Sequence, residues 1–153
     1  MKITDFLSPQ SVIPELSARN KAEVLRELAT TLQEVDPGLR GKDLVAVLAE
    51  RERLGSTGIG EGVAIPHGKV TGMGRLQAVF GLSHHGVDFE AIDGRPTHLF
   101  FALVAPENSA GVHLKALARI SRLFKNPAFR SAILSAGDAR AIYDLIIQED
   151  ERA

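Results

Sequence analysis

Cysteine is missing from this 153-residue chain, which rules out disulfides and thiolate zinc sites. An excess of charge of one sign is missing as well. The 18 Lys and Arg stand against 19 Asp and Glu, a formal net charge of −1, and no basic patch of the kind that nucleic-acid binding requires is present. DNA and RNA are not expected partners. No apolar run reaches membrane-spanning length, and the polar Met1–Asp5 start lacks the apolar core of a signal peptide, so no membrane insertion is expected and the simplest location is cytoplasmic. There is no internal repeat, no low-complexity tract and no His-Glu-x-x-His zinc motif.

What is present is enough for one core. With 44% hydrophobic positions, residues 1–153 are expected to form a single domain without a linker. Ile3 to Leu16, with Phe6, Leu7, Val12 and Ile13 set around Pro9 and Pro14, reads as an irregular arm with a short strand that covers a sheet edge. From Asn20 the pattern is helical: Val24, Leu25, Leu28, Leu32 and Val35 share one face until Pro37-Gly38 stops it. A second helix runs from near Lys42 to before Gly55, with Leu44, Val47, Leu48 and Arg51 on its apolar stripe. Leu76, Ala78, Phe80 and Leu82 alternate as in a half-buried strand closed by His84-His85, and Leu99 to Val104 is a continuous apolar run that fits a central strand. A third helix begins at Pro106 to Ser109 with the stripe His113, Leu117, Ile120 and Phe124. Two shorter helices follow at about 127–135 and 138–148, before an acidic tail, about 149–153, expected to fray. Interleaved strands and helices of this kind predict an α/β sandwich around a small mixed β-sheet flanked by helices.

The chain is organised around Gly55-Ser-Thr-Gly-Ile-Gly-Glu-Gly-Val-Ala-Ile-Pro-His-Gly-Lys69. Its first half carries glycines at 55, 58, 60 and 62, which let the backbone run tight and bring amide N–H groups of Gly55, Ser56 and Thr57 within reach of an anion. Val63-Ala64-Ile65 is a short β-branched run. Pro66 ends it by removing a ladder donor, so His67 stands at a strand end, with room left beside it by Gly68. The glycines are not a dinucleotide fingerprint, because a helix precedes them and a strand follows. Gly68-Lys69 is not a P-loop, because Val70 replaces the required Ser or Thr.

Taken singly, each polar residue of interest has an ordinary structural reading. A proline-flanked histidine usually closes a turn, and a histidine on a helix stripe is usually a satisfied core residue. An arginine in a last helical turn usually serves the helix dipole. Arg53 fits the dipole reading; Arg51 does not, because it returns to the apolar face, where an unpaired guanidinium is costly. Arg51, His67 and His113 come from three separate segments, and one shared site accounts for all three. A neutral imidazole can act as a nucleophile, and a guanidinium and a second imidazole can stabilise the anionic phosphoryl group it receives.

Arg51-Glu-Arg-Leu-Gly-Ser-Thr-Gly-Ile-Gly-Glu-Gly-Val-Ala-Ile-Pro-His-Gly-Lys69, with His113-Leu114 downstream, closely resembles the IIA proteins of the bacterial phosphoenolpyruvate phosphotransferase system. The similarity covers essentially the whole chain and is nearest to the nitrogen-regulatory branch, related to the mannitol/fructose IIA domains. The resemblance implies that His67 is the phosphorylated histidine, Arg51 the phosphate-facing arginine and His113 the supporting histidine, with Gly55, Ser56 and Thr57 in the phosphate-binding loop. Glu61 matches a carboxylate of the mannitol-type domains where nitrogen-branch relatives can carry Asn, which leaves two readings: an orienter of His113, or a solvated loop carboxylate.

The resemblance further implies a phosphoryl donor, an HPr-like phosphocarrier (NPr in the nitrogen branch), and regulatory targets such as potassium transporters or sensor kinases, with no metal, nucleotide or other cofactor. No IIB or membrane segment is attached before Ala153, and the glycine loop follows the nitrogen-branch pattern, so a regulator is expected over a sugar-transport component that feeds a IIB domain. Two other classes stand beside it. A binding module could keep the fold with a histidine that is never phosphorylated, and a metal-dependent hydrolase could use the histidines as ligands, although Arg51 would repel a bound cation.

Overall fold

The computed structural model describes residues 1–152. Two single-turn helices, Ile3–Asp5 and Pro9–Ser11, open the chain and lead into a two-residue strand, β1 (Val12–Ile13). There follow α1 (Lys21–Val35), α2 (Leu44–Arg53), β2 (Gly58–Gly60), β3 (Val63–Ala64), β4 (His67–Val70), β5 (Gln77–Val87), β6 (Thr97–Pro106), α3 (Ala110–Leu123), α4 (Pro127–Ser135) and α5 (Ala139–Arg152). The six strands form one mixed sheet in the order β1-β5-β6-β3-β2, with β4 also paired to β6. As the arm reading anticipates, β1 lies parallel to β5 at one edge.

Pattern accounts for most of these elements. Asn20, Asp43 and Asn126 each cap a helix by accepting a backbone N–H from its first turn, and Pro127 occupies the start of α4, where its missing donor costs nothing. Alternate residues of β5 and β6 feed opposite faces. Ala78, Phe80, Leu82, Phe101 and Leu103 pack with α3, α4 and α5, whereas Val79, Phe100, Ala102 and Val104 pack with α1 and α2. Each fully buried Phe or Leu on such a face contributes roughly 1.5–3 kcal/mol. The expectation of a half-buried β5 is therefore corrected: helices cover both faces, and Gln77 to Ser83 are all buried. His84 and His85 do not close the strand either. They fall in an irregular part of the ladder between the Leu82 and Val87 pairings.

The tail is also different from the expectation. Residues 149–152 continue α5, and Asp150 is 2% exposed. Its carboxylate accepts the amide N–H of Ile3 at 2.8 Å and pairs with Arg119 of α3, so the acidic end is anchored instead of frayed. Residue 153 lies outside the described residues.

Candidate active site

β3 and β4 are two halves of one interrupted strand alongside β6. Val63 and Ala64 pair with Leu99 and Phe100, and His67 to Val70 pair with Leu103 to Pro106. The interruption is Ile65-Pro66. Pro66 has no N–H to give, but its carbonyl still accepts the Leu103 N–H at 2.9 Å, so the chain is held to β6 while His67 begins the second half. Gly68 permits the close approach of α2: a Cβ there would stand 2.4 Å from Val47 Cγ1 and 3.3 Å from the Val47 carbonyl oxygen.

Arg51, His67 and His113 line one open pocket of about 610 Å³, together with Val47, Lys69 and Leu114. Arg51 comes from the last turn of α2 and donates from Nη1 to the Gly55 carbonyl at 2.8 Å. His113 comes from the first turns of α3 and is 5% exposed. Its ring stands edge-on to that of His67, centroids 5.5 Å apart and planes at 84°.

The two imidazoles have different surroundings. His67 Nδ1 lies 2.7 Å from the Ile65 carbonyl oxygen, which can only accept, so Nδ1 carries the proton and Nε2 keeps its lone pair. Burial lowers its pKa below the ordinary histidine value; the Ile65 bond opposes this, the Arg51 guanidinium adds to it and the Glu52 carboxylate opposes it. His113 is held down to about 4, first by burial and then by the charges of His67 and Lys69. Its Nε2 is buried and has no hydrogen-bond partner among the described residues. Both rings are therefore neutral near pH 7.

The other residues singled out from the sequence are placed elsewhere. Glu61 is exposed, with positive φ, and its carboxylate faces Arg130 at 3.6 Å, so it does not orient His113. The solvated-loop reading of Glu61 fits. Nor is the glycine loop an open anion cradle. The Gly55 N–H is bonded to the Glu52 carbonyl, the Thr57 N–H and hydroxyl to the Glu52 carboxylate, and the Gly58 N–H to Ser56 Oγ. Ser56 itself donates to the Phe89 carbonyl. Gly55 enters the site only through the carbonyl that holds Arg51.

Two features of the pocket were not read from the sequence. Lys69 adds a second cation to the lining, and the exposed Leu54 (79%) and Leu114 (67%) form an apolar rim. His84 and His85 lie outside it, and His84 bridges the Glu15 carboxylate and the Leu134 carbonyl. Among the described residues no three His, Cys, Asp or Glu side chains are grouped to hold a metal ion, and no helix is long and apolar enough to cross a membrane.

Known proteins share this arrangement of chain and fold. Residues 5–149 match the family model described as "Phosphoenolpyruvate-dependent sugar phosphotransferase system, EIIA 2". The nitrogen regulatory protein of Bradyrhizobium diazoefficiens is 40% identical over 146 residues, covering 95% of both chains. The fructose-specific EIIABC component of Bacillus subtilis is 36% identical over 151 residues, 99% of this chain but 24% of that longer protein. The crystal structure of nitrogen regulatory protein IIA-Ntr from Neisseria meningitidis superposes with a TM-score of 0.86 at 31% identity, covering 94% of this chain and 98% of that one. With a family model matched over nearly its whole length, and relatives of that identity and coverage, this chain belongs to the type 2 EIIA family of the phosphotransferase system.

Proposed function

We propose that the protein is a cytoplasmic phosphocarrier of the nitrogen-regulatory kind, in which His67 accepts a phosphoryl group from the phosphohistidine of a small HPr-like protein. The observation that carries this reading is the bond from His67 Nδ1–H to the Ile65 carbonyl, which leaves an unprotonated Nε2 in a pocket with Arg51 and His113. In the transfer, the donor's N–P bond breaks and its electron pair returns to the donor imidazole while the Nε2–P bond forms. No proton has to leave His67, and no metal or nucleotide is required. Arg51 and Lys69 supply positive charge to the phosphoryl oxygens. The orphaned nitrogen of His113 gains a partner if it donates to one of them, and the start of α3 adds its dipole. Leu54 and Leu114 suit a protein partner more than a small substrate.

A group carrying about −1.5 to −2 charges beside that apolar rim changes partner affinity by repulsion and desolvation, which makes the same chemistry a switch. The Bradyrhizobium relative, named a nitrogen regulatory protein, favours regulation. The 36% identity to a fructose-specific component supports the second reading, transfer to a IIB domain in sugar uptake. Incubation with phosphoenolpyruvate and the upstream carriers, followed by intact mass, should show one acid-labile, base-stable phosphoryl group that is lost in His67→Ala. Its persistence in that variant, or its mapping to His84, His85 or His113, overturns the assignment. Equal affinity of both forms for regulatory partners, with rapid transfer to a sugar-specific IIB protein, selects the transport reading.

A further inference from the structure

We propose that Glu52 is the positioning residue of the pocket, a buried clamp that sets the ring of His67 and the head of Arg51 at the same time. The proposal rests on the reading of His67 as the phosphoacceptor. It starts from a charge that the proposed chemistry leaves unused: Glu52 is 7% exposed, and a buried carboxylate is costly unless fully partnered. Its oxygens accept the Thr57 N–H at 3.0 and 3.2 Å, accept the Thr57 hydroxyl, and pair with Lys21 Nζ at 2.8 Å. Lys21 lies at the start of α1, so the carboxylate joins two helices to the glycine loop.

From Thr57 the connection continues to the reacting ring. The Thr57 carbonyl accepts the Ile65 N–H at 3.0 Å, and the Ile65 carbonyl accepts His67 Nδ1–H at 2.7 Å. Each link runs through a residue fixed on both sides, so displacement of Thr57 moves the carbonyl that selects the His67 tautomer. The same clamp governs Arg51. Holding Thr57 against α2 closes the turn 53–56, and Gly55 of that turn gives Arg51 Nη1 its carbonyl at 2.8 Å. The carboxylate also acts through its charge. Arg51 and Glu52 of α2, His113 of α3, and Lys69 of β4 are the charged or titratable groups that face His67 or the ring beside it, and Glu50 lines the same pocket. Among these, Glu52 opposes the Arg51 guanidinium in its effect on the His67 imidazole.

The test uses Glu52→Gln in the full chain, with the ring nitrogens of His67 followed by NMR across pH on unphosphorylated protein. The wild type should show one tautomer, protonated at Nδ1. The variant should show a mixture of tautomers and a lower His67 pKa, and its phosphoryl transfer should slow by roughly tenfold to a hundredfold, as expected for a displaced reacting group. A folded Glu52→Gln with wild-type tautomer, pKa and rate overturns the proposal. Should that variant not fold, Thr57→Val, which removes the hydroxyl link and leaves the Glu52 charge in place, should give the tautomer mixture and the slower transfer at reduced size, and a wild-type tautomer with a wild-type rate in it overturns the clamp. The ring measurements need no phosphoryl group, so a wild-type protein that is never phosphorylated counts against the phosphocarrier reading alone.

Discussion

The imidazoles of His67 and His113 meet edge to face at 84°, and only the His67 ring has a hydrogen-bond partner on its buried side. That asymmetry separates a ring held in one tautomer from a ring held neutral with an unmet bond, and it makes their titrations distinguishable.

The first prediction concerns His113 and pH. Its folded pKa of about 4 lies below the 6.5 of an unconstrained histidine, so between those values the unfolded chain binds a proton that the folded chain refuses. Stability therefore rises with pH across that window and is lost as pH falls through it, by on the order of 3 kcal/mol at full titration. Urea unfolding at pH 7.5, 5.5 and 4.5 should show the loss, and His113→Asn should remove most of it. A pH-independent difference between wild type and variant would contradict the assignment. Phosphorylation of His67 should raise the His113 pKa, because the new dianion favours the imidazolium.

Arg51 is expected to matter for rate more than for folding. Among the described residues its guanidinium is bound only to a carbonyl, and charge-assisted hydrogen bonds are worth roughly 1.5–3 kcal/mol, so Arg51→Ala should slow transfer to His67 by about tenfold to a hundredfold. Arg51→Lys should recover part of the charge effect but not the bond geometry. Single-turnover transfer measured with folded variants decides this; unchanged rates would remove Arg51 from the site.

A methyl group at position 68 should be felt in the pocket. Gly68→Ala drives Cβ against Val47 Cγ1, so α2 must shift or Val47 must find another rotamer, at a cost of about 1–3 kcal/mol. Transfer should slow as Arg51 moves with the helix. Val47→Ala in the same chain should restore both stability and rate, and failure of that rescue would show that the glycine serves another purpose.

On the far side of the fold, His84 should give the opposite pH dependence. Its Nδ1 faces the Glu15 carboxylate and its Nε2 the Leu134 carbonyl, two acceptors that together require the imidazolium, and its pKa is raised, first by the Glu15 bond. A raised folded pKa contributes stability that is complete below about 6.5 and is lost as pH rises through the folded value. His84→Gln should therefore lose more stability relative to wild type at pH 6 than at pH 9. An equal loss at both would mean that the ring is neutral in the folded protein.

Much of this was legible from residue pattern, because apolar spacing and turn chemistry act locally. The sandwich, the helix at Pro127–Ser135 and the strand at Leu99 to Val104 follow from spacing alone. The convergence of Arg51, His67 and His113 is legible because each is a polar residue that its local segment does not explain. Glu52 does not stand out in the sequence, for a geometric reason. At about 100° per residue, Leu48 marks the middle of the buried face, with Glu52 about 40° to one side and Arg51 about 60° to the other, so a stripe counted from Leu44 takes in the arginine and leaves the glutamate out. Asp150 and the second helical face over β5 depend on partners far away in the chain, Ile3 and Arg119 in one case and α1 in the other. No local window contains that information. The glycine loop differs from the expectation because the amides of Gly55, Thr57 and Gly58 are taken up within the protein, by the Glu52 carbonyl, the Glu52 carboxylate and Ser56 Oγ, and nothing in the composition of the loop distinguishes that from facing an anion.

The bond between the Ile3 amide and Asp150 spans 147 positions, and it decides when the molecule can become whole. A chain emerging from the ribosome can form α1 and α2 early, since their caps and stripes are local, but the Ile3 end has no acceptor until α5 has been made. Arg119 likewise lacks its counter-ion until then, and the apolar face carrying Phe80 and Phe101 lacks Ile142 and Ile146. Closure over so long a separation is slow and must be repaid by contacts made last. The order of synthesis thus leaves the sheet face on which His113's helix packs without its last cover until α5 has been made, so a nascent chain shorter than that exposes Phe80 and Phe101 on the side that Ile142 and Ile146 later close.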